Sequence, residues 1–257
     1  MDTVEKTICR YAQITDVGCV RELNEDSLYC NNKLWLVADG MGGHACGEVA
    51  SQLAAQEIAL QYAESGSLTD AIQFAHTRII ESGEQGIGQT GMGTTVVALV
   101  VNDKGYEIAW VGDSRAYLWD KKRQKLTQLS EDHSLIVRLI KSGLISVADA
   151  KNHPQRHMIT QCLGSLEIGD LQIDQYFAQW KVNQQILLCS DGLTDEISDE
   201  EIANVLAFDE SNELILERLV KKAKQAGGKD NISLILIDSP HALKQPLWEK
   251  LTTFLLP

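Results

Sequence analysis

The 257 residues are 44% hydrophobic and 23% charged, an ordinary globular composition, and the length suits one large domain better than several. Lys plus Arg total 23 against 36 Asp plus Glu, so the net charge of -13 repels a phosphate backbone and argues against general nucleic-acid binding. The longest apolar runs, such as Val96 to Val101, reach about a third of the roughly 18 residues a membrane helix needs, so no span is expected. The first residues, Met1-Asp2-Thr3-Val4-Glu5-Lys6, lack the basic start and apolar core of a secretory signal. Cys9, Cys19, Cys30, Cys46, Cys162 and Cys189 are scattered without a C-x-x-C pair and read as small packing residues, not as zinc ligands or nucleophiles. A reduced, cytoplasmic compartment is the expectation.

Taken in chain order, β-branched or alternating runs predict strands near Ile8 to Ile14 and Leu34 to Ala38. Two adjacent long helices follow. One carries Val49, Leu53, Gln56 and Leu60 on a single side; the other carries Leu68, Ile72, Ala75 and Ile79 behind a Ser67-x-x-Asp70 cap. Strands are predicted next at Thr94 to Val101, Tyr106 to Val111 and Arg115 to Trp119. The segment from Leu144 to Asp170, holding His153-Pro154, has few strand signals and reads as an excursion from the sheets. Strands resume at Leu171 to Phe177 and Ile186 to Cys189. Ser198-x-x-Glu201 caps a short helix, and Leu216, Leu219, Val220 and Ala223 form the inner face of another that ends at Gly227-Gly228. A last strand, Ile232 to Ile237, leads to a tail after Ser239-Pro240 with Leu247, Leu251 and Phe254 at helical spacing. The tail is expected to dock on the body, with a partner-binding helix as the other reading. Helices come in pairs between groups of strands, which favours an α+β fold of antiparallel sheets with helices packed outside.

Aspartates fall where the most apolar strands end. Trp35-Leu36-Val37-Ala38 runs into Asp39-Gly40, Ile108-Ala109-Trp110-Val111 into Gly112-Asp113, and Ile186 to Ser190 into Asp191-Gly192, while Asp230-Asn231 opens the run Ile232 to Ile237. Turn chemistry accounts for any one of these. Four together at one rim repel unless cations hold them, and oxygen-only donors select hard ions such as Mg2+ or Mn2+ over zinc. A di-metal hydrolytic site follows. The string Asp39-Gly40-Met41-Gly42-Gly43-His44 lets a main-chain carbonyl approach whatever the Asp binds, and it is not a phosphate-binding loop, since no Lys-Ser or Lys-Thr follows. Upstream, Arg21 stands near Glu22, Glu25 and Asp26, and its guanidinium can grip two phosphate oxygens at once or form a surface ion pair. His133, after Asp132 at an expected helix start, reads as structural.

Seven strings in order resemble the metal-dependent protein Ser/Thr phosphatases of type 2C, bacterial branch. They are Arg21-x-x-Asn24-Glu25-Asp26, Val37 to His44, Gly91-Met92-Gly93-Thr94-Thr95, Val111 to Tyr117, Asp132-His133-Ser134-Leu135, Leu188 to Leu193, and Gly227 to Ile232. The resemblance implies a central β-sandwich of two antiparallel sheets flanked by helix pairs (four layers, αββα), with two to three Mg2+ or Mn2+ ions in a cleft at one end. It makes residues 1–240 the catalytic domain, 144–170 a flap beside the cleft, and 241–257 a tail.

Carried over by residue, the resemblance has Asp39 bridge two metals and the Gly40 carbonyl bind one of them. Asp191 and Asp230 complete the second ion's shell, Glu25 acts through water, and Asp26 supports that network. Asp113, with Asp191, holds a third, weaker ion, and Arg21 binds the substrate phosphate. Many relatives outside bacteria place His directly after Asp-Gly as a proton donor. Here Met41 stands in that place and His44 lies three residues on. A metal-bridged hydroxide would attack phosphorus, and His44 or a water from the metal shell would protonate the departing Ser or Thr alkoxide. The implied partners are phosphorylated proteins, substrates of a Ser/Thr kinase, met by a monomer without nucleic acid or membrane. Two other readings remain: a catalytically weak phospho-protein binding module of the same fold, and a metal-dependent nuclease, against which the charge counts.

Overall fold

A computed structural model describes residues 9–42, 46–102, 105–150, 153–166 and 170–240. Ile8, where the first strand was expected to begin, His44 and the tail with Leu247, Leu251 and Phe254 lie outside the described residues. The elements are strands β1 (Tyr11–Asp16), β2 (Asp26–Cys30) and β3 (Leu34–Met41), then helices α1 (Gly47–Ser65) and α2 (Leu68–Glu84). Strands β4 (Gly93–Thr94), β5 (Val96–Asn102), β6 (Gly105–Val111), β7 (Arg115–Asp120) and β8 (Lys125–Gln128) precede helices α3 (Leu135–Lys141) and α4 (Val147–Ala150). Strands β9 (Asp174–Ala178) and β10 (Gln184–Cys189), helices α5 (Asp191–Thr194), α6 (Asp199–Leu206) and α7 (Asn212–Ala226), and strand β11 (Ile232–Asp238) complete the order.

The strands form two antiparallel sheets, ordered β1-β11-β10-β7-β8 and β2-β3-β5-β6-β9, with β4 paired to β3. Side chains alternate across each strand. In β3, Leu34, Leu36 and Ala38 meet α1 and α2, while Trp35 and Val37 face the other sheet. In β11, Leu234 and Leu236 meet α6 and α7, while Ile235 and Ile237 enter the same inter-sheet layer. Strands buried on both faces must be apolar at every position, which is why these runs are continuous instead of alternating. The four-layer αββα arrangement expected from the sequence is the one found. Among the described residues, no helix is long and apolar enough to cross a membrane.

Two local expectations change. The inner side of α1 is Val49, Leu53, Gln56 and Leu60 only in part: Val49 and Leu53 pack half-buried against the core, Gln56 is exposed and Leu60 is 64% exposed, and the fully buried positions are Gly47, Ala50, Ser51, Ala54, Ala55 and Ile58. Small residues win there because α1 begins against the backbone of β3. A Cβ on Gly40 would lie 2.1 Å from the Gly47 carbonyl oxygen, so neither helix start nor strand tolerates bulk. The second change concerns the end of β3. The strand does not stop at Ala38 but continues through Asp39 to Met41, because Gly40 and Met41 pair with Thr94 and Gly93 of β4. The other helix faces stand as expected: Leu68, Ile72, Ala75 and Ile79 are buried in α2, as are Leu216, Leu219, Val220 and Ala223 in α7.

Candidate metal centre

Asp39 has the same parity in β3 as Trp35 and Val37, so it points into the slot between the sheets, one step past the last apolar residue. Asp26, at the head of β2, is its cross-strand partner. The opposite sheet contributes Asp191, the first residue of α5 immediately beyond β10, and Asp230, just ahead of β11. Asp113 follows the end of β6 by two residues. One end of the sandwich thus gathers all five acids.

Burial raises the pKa of four of the five. Asp39 is held well above the usual carboxylate range, first by burial and then by the charges of Asp26, Asp191, Asp113 and Asp230. Asp191 is raised likewise by burial, then by Asp113, Asp195 and Asp230. Burial also pushes Asp26 up to about 6, although Ser233 and Ser190 hydrogen-bond to it, and pushes Asp113 up to about 7 with help from Asp132. Carboxyl groups in that state take up either protons or cations. Here Asp39 lies within hydrogen-bonding reach of both Asp26 and Asp191. Among the described residues no three acidic, His or Cys side chains are spaced to enclose a metal ion as they stand. By its chemistry and charge the all-oxygen donor set nonetheless suits hard divalent cations.

Arg21 brings a cation to the rim. Its Nη2 lies 2.7 Å from Asp230 Oδ2 and its Nη1 3.8 Å from Glu25 Oε2, at the open rim where Arg21 is half exposed. A guanidinium on these carboxylates shows that the rim accepts positive charge.

Backbone hydrogen bonds fix the cleft floor. The Thr95 N–H and the Thr94 hydroxyl both donate to the Asp39 carbonyl, at 2.8 and 2.9 Å. The Ser190 hydroxyl donates to Asp26 Oδ2 at 2.9 Å. Asn231 is a staple that sequence reasoning missed. Its Oδ1 accepts the Glu25 N–H at 2.8 Å, and its Nδ2 donates to the carbonyls of Val17 and Leu23 at 3.0 and 2.9 Å, tying the Arg21 loop to β11. Also missed were Asp195, raised by burial and facing His157 Nδ1 at 2.8 Å, and the bidentate Arg115–Asp132 pair. Their only signal was an acid among charged neighbours, since each partner is supplied by the fold.

The excursion after α3 returns to the body through two bridges, Ser134 with Ile159 and Thr94 with Leu163. No cysteine forms a disulfide, and burial pushes the Cys9, Cys30 and Cys189 thiols up to about 12. Those three are therefore protonated at neutral pH, which excludes them as thiolate nucleophiles.

Comparison with known proteins gives a consistent answer. A family model described as protein phosphatase 2C matches residues 21–233. The chain is 36% identical over 239 residues to the serine/threonine phosphatase stp of Listeria welshimeri, covering 87% of this chain and 93% of that one. It superimposes on the crystal structure of the Mycobacterium tuberculosis serine/threonine phosphatase PstP/Ppp with a TM-score of 0.82 at 36% identity, covering 90% of this chain and 98% of that one. The catalytic domain of PstP in complex with two manganese ions gives 0.78 at 33% identity, over 90% of this chain and 98% of that one.

Proposed function

The chain belongs to the protein phosphatase 2C family, bacterial branch, and we propose that its cleft removes phosphate from phospho-serine and phospho-threonine in proteins, using Mg2+ or Mn2+ held by Asp39, the Gly40 carbonyl, Asp191 and Asp230. The observation that carries this reading is the meeting of Asp26 and Asp39 from one sheet with Asp191 and Asp230 from the other at one cleft floor. A pair of divalent cations, when bound, activates a water for attack on phosphorus and neutralises phosphoryl oxygens.

The protein's own groups do the rest. Asp39, with acidic neighbours on both sides, would be a ligand of the cations, and the two hydrogen bonds on its carbonyl fix its backbone in place. Asp26, gripped by Ser190 and Ser233, steadies the carboxylate opposite it. Glu25, beside Arg21 at the rim, would act on the cations through water. Asp113, whose charge acts on Asp191, would with it hold a third and weaker ion. Arg21, whose fork rests on Asp230 at the rim, would hold the substrate phosphate, where planar bidentate contact orients the ester for in-line attack. His44 is the side-chain candidate for protonating the leaving alkoxide. The segment 144–170 forms a flap on the catalytic domain, 1–240. The chain acts as a cytoplasmic monomer on products of a Ser/Thr kinase, and its net charge of -13 turns it away from nucleic acid.

Phosphate release from a phospho-threonine peptide, with Mn2+ and with chelator, tests the proposal. Release that requires the cation is expected. Tight peptide binding without release would favour a recognition module instead.

A further inference from the structure

His133 is buried, and the hydrolytic reading makes no use of it. We infer that His133 is a positioning residue for Asp113: it fixes Gly112, the residue before that acid, and joins it to the returning end of the flap. The inference rests on Asp113 holding an outer ion, as proposed above.

Gly112 has left the ladder of β6 and adopts φ +106, a left-handed conformation in which a Cβ would lie 2.6 Å from Thr95 Cβ. Both of its backbone polar groups are taken by one residue. The Gly112 N–H donates to His133 Nδ1 at 3.2 Å, and the His133 N–H donates to the Gly112 carbonyl at 2.9 Å. A buried N–H without such a partner would be costly, so this clasp decides where the chain turns into Asp113.

The ring itself is held from other sides. Because Nδ1 accepts, the neutral ring carries its proton on Nε2. That atom lies 3.3 Å from Asp174 Oδ2 without the alignment of a hydrogen bond, and is otherwise unpartnered. Trp110 stands 6.4 Å away, ring to ring, its Nε1 donating to the Glu131 carbonyl at 2.9 Å. The His133 carbonyl meanwhile accepts the Thr160 N–H at 2.7 Å, next to the Leu135 N–H donating to the Met158 carbonyl at 2.8 Å. A single residue thus links the flap's return to the loop that aims Asp113. Outer partners of this kind commonly change metal affinity tenfold or more.

Three variants and one spectrum test this. The variants are His133→Leu, which removes the acceptor, His133→Asn, whose amide oxygen replaces Nδ1, and Asp113→Ala. Each is assayed for the Mn2+ dependence of phosphopeptide hydrolysis, with circular dichroism to confirm folding. The Leu variant is expected to need about tenfold more Mn2+ for half activation, with His133→Asn restored to within about twofold of the parent. Unshifted dependence in folded His133→Leu, beside a shifted Asp113→Ala, would overturn the inference alone. An equal shift in the Asn and Leu variants would overturn it too, by reducing His133 to packing. An unshifted Asp113→Ala would instead remove the outer-ion reading beneath it. Nitrogen-15 spectra of the unaltered protein need no variant: the Nε2–H tautomer supports the clasp, and the Nδ1–H tautomer rules it out.

Discussion

Asp39 occupies the one position of β3 where the inter-sheet face passes from apolar core to open cleft, and its effect on the reaction follows from that placement. Replacing Asp39, Asp191 or Asp230 by Ala removes a proposed ligand and also a repulsion, so each variant should fold normally yet lose at least about a hundredfold in metal-dependent hydrolysis, more than a supporting residue would cost. Phosphopeptide turnover with circular dichroism checks both halves. Arg21 is half exposed and touches Asp230 at the rim, and the proposal gives it the substrate phosphate to bind. Arg21→Ala should raise KM about tenfold with kcat little changed, and Arg21→Lys should recover only part, because an ammonium lacks the planar fork. Steady-state kinetics separates the two constants; a fall in kcat at unchanged KM would make Arg21 a transition-state residue. At this scale the sequence was informative about the acids, since Asp beside apolar strand ends is a pattern the chain itself displays. It did not define the roles of Asn231 and Ser190, and it read His133 only as structural at a helix start, because their partners are brought within reach by the fold.

Among the elements, local chemistry read well where it was self-contained. The Ser198 hydroxyl and Glu201 carboxylate complete a reciprocal capping box at the start of α6. Ser198→Ala should lower stability by about 1 kcal/mol without altering turnover, measured by urea unfolding beside the peptide assay. Helix α2 likewise follows its own periodicity, with Ser67 at its cap. Helix α1 did not. Its leucines suggested an inner face, but contact with β3 demanded small residues, a requirement set by the neighbouring backbone and absent from α1's own pattern. Strands β2 and β8 escaped notice because both are short and only partly buried, so neither carries a long apolar run. The extension of β3 through Asp39 was hidden for a related reason: Asp-Gly reads as a turn until β4 arrives to pair with it.

For the whole molecule, stability and metal binding should be linked through pH. Asp26 and Asp113 are pushed up to about 6 and about 7, chiefly by burial, whereas an Asp in an unfolded chain titrates near about 3.9. Across that window the folded chain binds more protons than the unfolded one, so the stability of metal-free protein should fall as pH rises from about 4 to about 7. Mn2+ replaces those protons, so it should raise the melting temperature more at pH 7.5 than at pH 5. Differential scanning calorimetry at both values, with and without the ion, reads this directly; a metal-free melting temperature that climbs from pH 5 to pH 7.5 would contradict it. The layer order was legible because strands buried on two faces, with helices in pairs between them, leave few alternatives. The cleft was less so, since convergence of four strand ends is a property of sheet twist and register.

The central claim is that the carboxylates of the two sheets share divalent cations across the cleft. Anomalous diffraction from crystals grown with Mn2+ locates those ions without reference to activity. Two strong peaks are predicted, both within ligand distance of Asp39 and with Asp191 and Asp230 completing one shell, at the roughly 3.5 to 4 Å separation of two-metal sites. Mn2+ found elsewhere, or a single ion that leaves Asp39 unliganded, would contradict the account.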